Sequence, residues 1–158
     1  MITLRKVDRS NWHETLLLAV QPDQQKFISD YAPIAAIALA KAYVGAVGLS
    51  WVPYAIYAEQ QNVGFFALAF SANSQEDIWL FHFFIDQRFQ RRGYGKAALS
   101  EIIRLVQQIY PDRTGISLLV HPENTVAQAL YQNSGFRLTK EELWGEPVYR
   151  LKFGQDGA

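Results

Sequence analysis

FFIDQRFQRRGYGKAAL, the stretch from Phe83 to Leu99, is where the fold reading turns. An apolar strand runs into a basic loop, the loop closes on Gly93-Tyr94-Gly95, and a helix opens behind the glycines. Backbone N–H groups at a helix start have no partner inside the helix and carry partial positive charge, so that position suits phosphate. Gly93 and Gly95 let a ligand approach the main chain with no side chain in the way. Arg88, Arg91, Arg92 and Lys96 surround the turn with positive charge. Arginine can hold a phosphate through two parallel hydrogen bonds. Together these features predict a pyrophosphate-binding loop between a strand and a helix.

Outward from this loop, hydrophobic periodicity sets the remaining elements. Behind it, Leu99, Ile102, Ile103, Val106 and Tyr110 repeat at helical spacing, and Pro111 follows. Ahead of it, Ile78–Asp86 is apolar on both faces, as a central strand should be. Ile2–Val7 alternates, and Pro53–Glu59 and Val63–Ala72 form a hairpin around a Gln60–Asn62 turn. Asn11 with Glu14 has the capping-box pattern and predicts a helix over Trp12–Val20. Gln21–Ser29 reads as polar and irregular, and a second helix begins near Pro33 and reaches about Tyr43. Downstream come the strand Ile116–Val120, the helix Thr125–Asn133 with Gly135 past its end, and a hairpin of Phe136–Leu143 and Pro147–Phe153.

Composition narrows the class. The chain has 158 residues, 49% of them hydrophobic and 19% charged, which suits one globular domain spanning 1–158. Fifteen basic residues balance fifteen acidic ones, so no global charge points to nucleic acid. With no cysteine there is no disulfide, thiol nucleophile or thiolate metal site, and three scattered histidines predict no metal site. The start, MITLRKV, reads as a strand rather than a leader, and the expected compartment is the cytoplasm. PIAAIALAKAYVGAVGLSWV, Pro33 to Val52, has roughly the ~20 residues a membrane span requires. Lys41 near its middle and its many small residues predict instead a helix and loop, with no membrane span.

Gly93 to Ala98 also fits the loose G-x-G-x-x-A form of dinucleotide-binding turns. There, however, the glycines follow the strand almost directly, and an acid lies ~20 residues on. Here Gln87–Arg92 intervenes and Arg113–Ser117 holds no carboxylate. By itself the basic turn also fits solvated arginines. A second constellation is Asn124, Ala127, Tyr131, Gly135 and Phe136, with Asn124 as helix cap and Ala127 and Tyr131 sharing one helix face. An isolated tyrosine in such a place also fits plain core packing.

Taken as a pair, Gln90-x-x-Gly93-x-Gly95 and Asn124…Leu130-Tyr131…Gly135-Phe136 resemble the two coenzyme A motifs of the GNAT superfamily of N-acetyltransferases. The resemblance runs from about Val63 to Phe153. VGFFALAF, IWLFHFFIDQRFQRRGYGKAAL and LYQNSGF are most similar to bacterial polyamine (spermine/spermidine) acetyltransferases. It implies an α/β (α+β) GNAT fold, with a mostly antiparallel, twisted, mixed sheet of about seven strands and about four flanking helices. Parallel strands 4 and 5 would splay, and strand 4 would carry a bulge. It implies acetyl-CoA as co-substrate and transfer to a primary amine of a small molecule, possible acceptors including a polyamine such as spermidine. Backbone groups of Phe83, Phe84 and Ile85 would bind the pantetheine arm. Gln90, Arg91, Arg92, Gly93, Tyr94, Gly95 and Lys96 would cradle the pyrophosphate, Asn124 would contact the cofactor, and Tyr131 would protonate the leaving thiolate. The expected partner is a small-molecule amine, with no nucleic acid and no membrane, and a homodimer is the candidate assembly.

One position departs from the resemblance. Many relatives place a carboxylate where Phe81 stands, so no residue is assigned as base. His82 should point to the opposite sheet face by alternation, and Glu76 and Asp77 could act only through water. Asp30 and Tyr31, before the second helix, are candidate acceptor residues, and Trp51, Trp79 and Trp144 are further aromatic ones. Two other function classes fit parts of the pattern: a non-catalytic acetyl-CoA-binding sensor or partner module, and a dinucleotide-binding redox domain. Acetyltransferases for a protein N-terminus, an amino acid or an antibiotic share the leading reading's chemistry.

Overall fold

A computed structural model of the chain describes residues 1–28 and 33–154. Seven strands form one sheet: β1 (Ile2–Lys6), β2 (Ser50–Ala58), β3 (Gln61–Phe70), β4 (Ile78–Ile85), β5 (Gly115–Leu119), β6 (Arg137–Leu143) and β7 (Glu146–Lys152). Their order is β1-β2-β3-β4-β5-β7-β6, and only β4 and β5 run parallel. The helices are α1 (Trp12–Leu16), α2 (Gln25–Ile28), α3 (Ile34–Val44), α4 (Tyr94–Ile109) and α5 (Thr125–Asn133). This is the mixed sheet expected from the sequence, with a single-turn α2 added.

The central strands are buried on both faces, which explains their unbroken apolar runs. Val63, Phe66 and Leu68 of β3 pack with Ala98, Leu99, Ile102 and Val106 of α4 on one face. Phe65, Ala67 and Ala69 pack on the other face with Leu18 and with Ile34, Ala35 and Ala38 of α3. The apolar stripe of α4 is the one its periodicity predicts. Its N-terminus therefore lies at the end of β4, with only the loop between them.

Three expectations change. α1 ends at Leu16 rather than Val20, and the capping box expected at its start does not form. Asn11 Oδ1 instead accepts the Asp8 N–H at 2.9 Å, and Glu14 engages the Tyr57 hydroxyl. Gln21–Ser29 is not wholly irregular: a 3-10 turn at Pro22–Gln24 runs into α2. Pro33 stands just outside α3, with an extended ψ of 142°. The segment tested as a membrane span is α3, a short 3-10 turn and the start of β2. No helix among the described residues is long and apolar enough to cross a membrane.

The feature that positions the site is in β4. It pairs with β5 only over Ile78–Leu80, opposite Ile116–Leu118. Beyond Leu80 the two parallel strands separate. On its other edge β4 pairs with β3 as Ala67↔Phe81 and Phe65↔Phe84, so His82 and Phe83 together face Phe66. That is a bulge, and His82 takes a positive φ of 56°. A left-handed non-glycine residue costs roughly 1–2 kcal/mol, which the packing around it must offset. Gly64 allows the strands to close here: a Cβ on it would lie 2.6 Å from the Phe84 carbonyl oxygen.

Candidate active site

The loop after β4 is fixed from inside. Asp86 is buried, and its carboxylate accepts from the Ala19 and Arg88 N–H groups, each at 2.9 Å, and from Arg88 Nε at 2.8 Å. Burial pushes this carboxyl up, but the bonds from Arg88 and Ala19 outweigh it and hold it below the ordinary range. Arg88 is thus tied to the loop's base rather than free for a ligand. Gln90 donates to the Ile85 carbonyl at 2.9 Å and exchanges amide bonds with Gln24. Its side chain braces the loop against β4 and the Pro22–Gln24 turn.

Above this base the loop is open. Arg91 has a φ of 65° and Gly93 a φ of 81°, two left-handed residues that turn the chain into α4. The first intrahelical bond runs from Ala97 N–H to the Gly93 carbonyl at 3.2 Å. The N–H groups of Tyr94, Gly95 and Lys96 lie before it and have no bonded partner among the described residues. Nothing lies within 4 Å of the side-chain position at Gly93, and Arg91, Arg92 and Lys96 are exposed. Unpaired amides, a glycine with open space and three exposed cations fit a diphosphate.

The gap left by the splay of β4 from β5 is a cavity of about 260 Å³. Phe83 lines it from the bulge, and Asn124, Ala127 and Tyr131 line it from α5. The α5 cap forms as its sequence predicts, with Asn124 Oδ1 accepting from the Ala127 N–H at 3.2 Å. Ala127 and Tyr131 then face the gap together, one turn apart. Tyr131 is 8% exposed, with its ring against Phe83 and Phe136. Burial pushes its phenol up, so the hydroxyl keeps its proton and can give it only to a strong base. Gly95 joins the two motifs: its side-chain position lies 3.9 Å from both Ile85 and Leu130 of α5. Phe84 and Ile85 turn their side chains into the two cores, leaving their backbone on the strand edge that β5 has abandoned.

His82 does not point to the opposite face. The bulge breaks the alternation, and His82 lines the same cavity as Phe81 and Phe83. Its Nε2 lies 3.0 Å from Lys41 Nζ of α3. Burial first, and the Lys41 charge second, lower its pKa to about 4, against a weak opposite pull from the Ile28 carbonyl. The imidazole is therefore neutral near pH 7. Phe81, where an acid was expected, is the centre of an aromatic cluster with Trp51, Trp79 and Trp144 at ring separations of 5.2, 5.7 and 6.3 Å. Asp77 is not available as a base: it accepts from Thr114 and Ser117 and pairs with Arg150 at 2.5 Å. Glu76 is exposed and does not line the cavity. Asp30 and Tyr31 lie outside the described residues.

Lys41 and Glu146 are among the cavity residues that the sequence did not single out. Lys41 entered only as a charge against a membrane span. Yet an isolated cation in an apolar helix was itself a signal, because it must reach either solvent or a polar site. Glu146 sits in the turn region of the last hairpin, and nothing local marks it. It lines the cavity beside His121, and burial raises its carboxyl despite that neighbour. A larger concavity of about 480 Å³ lies between β1 and α1, but its Glu14 and Arg5 already engage Tyr57. Among the described residues no group of three acidic or histidine side chains could hold a metal ion.

Comparison with known proteins agrees with this geometry. The model of the Acetyltransferase (GNAT) family matches residues 30–136. Spermine/spermidine N(1)-acetyltransferase of Bacillus subtilis is 34% identical over 102 residues, 61% of this chain and 66% of that protein. The ribosomal protein bS18-alanine N-acetyltransferase of Haemophilus ducreyi is 36% identical over 83 residues, 51% of this chain and 52% of that one. The matched stretches thus span just under two thirds and about half of these relatives. Spermidine N-acetyltransferase from Vibrio cholerae, solved with CoA and spermine, superposes with a TM-score of 0.71 at 17% identity, covering 94% of this chain and 92% of that one.

Proposed function

This chain belongs to the Acetyltransferase (GNAT) family, and from that premise we propose that it transfers the acetyl group of acetyl-CoA to a primary amine of a small molecule. One observation carries the reading: the open, amide-lined start of α4 meets α5 at Gly95 and Leu130, and α5 sets a protonated phenol into the cavity beside β4. Acetyl-CoA, when bound, supplies an activated thioester whose leaving group is a thiolate. The Tyr94, Gly95 and Lys96 amides, with Arg91 and Arg92, would hold its diphosphate, and the free edge of Phe83–Ile85 would take its extended arm. Asn124 would contact the cofactor through the amide nitrogen that its cap leaves free.

The amine must first lose a proton. Glu146 is the only cavity-lining carboxylate among the described residues, and its raised pKa makes it a better proton acceptor than a surface glutamate. The freed amine forms a bond to the carbonyl carbon as the carbon–sulfur bond breaks. Tyr131 gives its proton to the departing sulfur, and the second proton shed by the nitrogen restores the phenol. No protein nucleophile is involved, so a chain without cysteine loses nothing.

Spermine and spermidine are named as acceptors for one relative and an alanine of ribosomal protein bS18 for another, so both kinds of acceptor belong in the test. Thiol release from acetyl-CoA should proceed with at least one primary amine and stay near background without one. CoA bound with no turnover on any amine would favour the non-catalytic module. Calorimetric binding of NAD in preference to CoA would favour the redox domain. We place the enzyme in the cytoplasm as a single domain, and sedimentation would distinguish monomer from homodimer.

A further inference from the structure

The acceptor side of the cavity carries two charged side chains, Lys41 and Glu146, that form no ion pair among the described residues. Lys41 reaches it from α3, a helix otherwise made of apolar side chains, IAAIALAKAYV. Among the described residues its ammonium meets uncharged groups, His82 Nε2 at 3.0 Å and the Trp51 ring at 5.0 Å. Among the described residues no carboxylate lies within ion-pair distance of it. The other lining lysine, Lys26, is neutralised by Glu123 at 3.1 Å. Among the described residues Glu146 is the one lining carboxylate, and it has no cation within that distance, although His121 lines the cavity near it.

We propose that the acceptor carries a carboxylate as well as its amine, and that Lys41 selects for it. The acceptor's ammonium end pairs with Glu146 and its carboxylate with Lys41, so each of the two side chains gains an ionic partner. His82 and Trp51 hold the Lys41 ammonium in place before the ligand arrives. A polycation suits this cavity poorly. It would bring several ammonium groups to a single carboxylate and set one of them against Lys41, a repulsion that works as selection. This inference rests on the acetyltransferase reading and names its acceptor class.

The test pairs each of a series of α-, β- and γ-amino acids with the amine that lacks its carboxylate, and adds spermidine. Thiol release gives kcat/KM for each. The best amino acid should exceed both its matched amine and spermidine by at least about tenfold, as a pocket built for a missing polar group discriminates. Lys41→Ala should bring that ratio to near one, Lys41→Arg should keep it, and Lys41→Glu should turn the preference to spermidine. Titrating the same acceptors into the CoA-saturated protein should rank them alike without turnover. A wild-type preference for spermidine, a ratio unmoved by Lys41→Ala, or turnover confined to other amines overturns the proposal while the acetyltransferase reading stands. Failure to bind CoA sinks both.

Discussion

The two halves of β4 are built for different purposes. Ile78–Leu80 pairs on both edges, with β3 and with β5, and its residues are regular and mostly buried. Phe81–Ile85 pairs on one edge only, carries the bulge, and holds a histidine at a left-handed φ. The first half gains hydrogen bonds and packing. The second gives up a ladder and accepts strain, and in exchange opens a cavity with backbone groups facing it. A single eight-residue strand thus changes from scaffold to site at Leu80, and local stability should fall along it in the same direction.

The largest expected contrast is catalytic. Tyr131→Phe should lower kcat by roughly 10²–10⁴-fold, the usual weight of a positioned proton donor, while CoA affinity by calorimetry stays near wild type. A parallel loss in both would mean the tyrosine only packs. Next comes the scaffold half. Leu80→Ala, 3% exposed between β3 and β5, should cost about 2–5 kcal/mol in urea unfolding. Phe83→Leu in the site half should cost less than about 1.5 kcal/mol, since the residue is only partly buried and lines a cavity on one side. Equal costs would erase the distinction between the halves.

His82 gives a pH-dependent comparison. Its pKa is lowered in the folded state, from 6.5 to about 4, so folding favours the neutral ring. That contribution is fully present above pH 6.5 and is lost as the pH falls from there toward 4. It amounts to about 3 kcal/mol by linkage. His82→Gln should flatten stability between pH 6.5 and 4 in urea titrations, and an unchanged slope would show that the ring is solvated. In the loop, Gly93→Ala, at φ 81°, should cost about 1 kcal/mol of stability in urea unfolding.

Most of the fold was legible because its signals are local. The stripe from Leu99 to Tyr110 located α4, and Asn124 with Gly135 bounded α5. The extent of α1 was not, and its expected capping box was replaced: Asn11 bonds Asp8 nearby, and Glu14 is taken by Tyr57 of β2, a partner distant in sequence. In the candidate site, the sequence pointed to the loop and to Asn124 and Tyr131, and the structure brings the latter two to one cavity. It could not show that Gln90 and Arg88 would be bound inward by Gln24 and Asp86. Strict alternation put His82 on the wrong face because a bulge depends on the neighbouring strand, here on the close approach at Gly64. Lys41 and Glu146 meet the cavity from elements about a hundred residues apart, a juxtaposition no local pattern carries.

The central claim is that the start of α4 holds a diphosphate and aims an acyl group at Tyr131. A crystal structure of the protein grown with coenzyme A tests it most directly. The account predicts diphosphate oxygens bonded to the amides from Gly93 to Lys96, with the sulfur in the β4–β5 gap beside the Tyr131 hydroxyl. A diphosphate bound elsewhere, or a sulfur outside that gap, would contradict it.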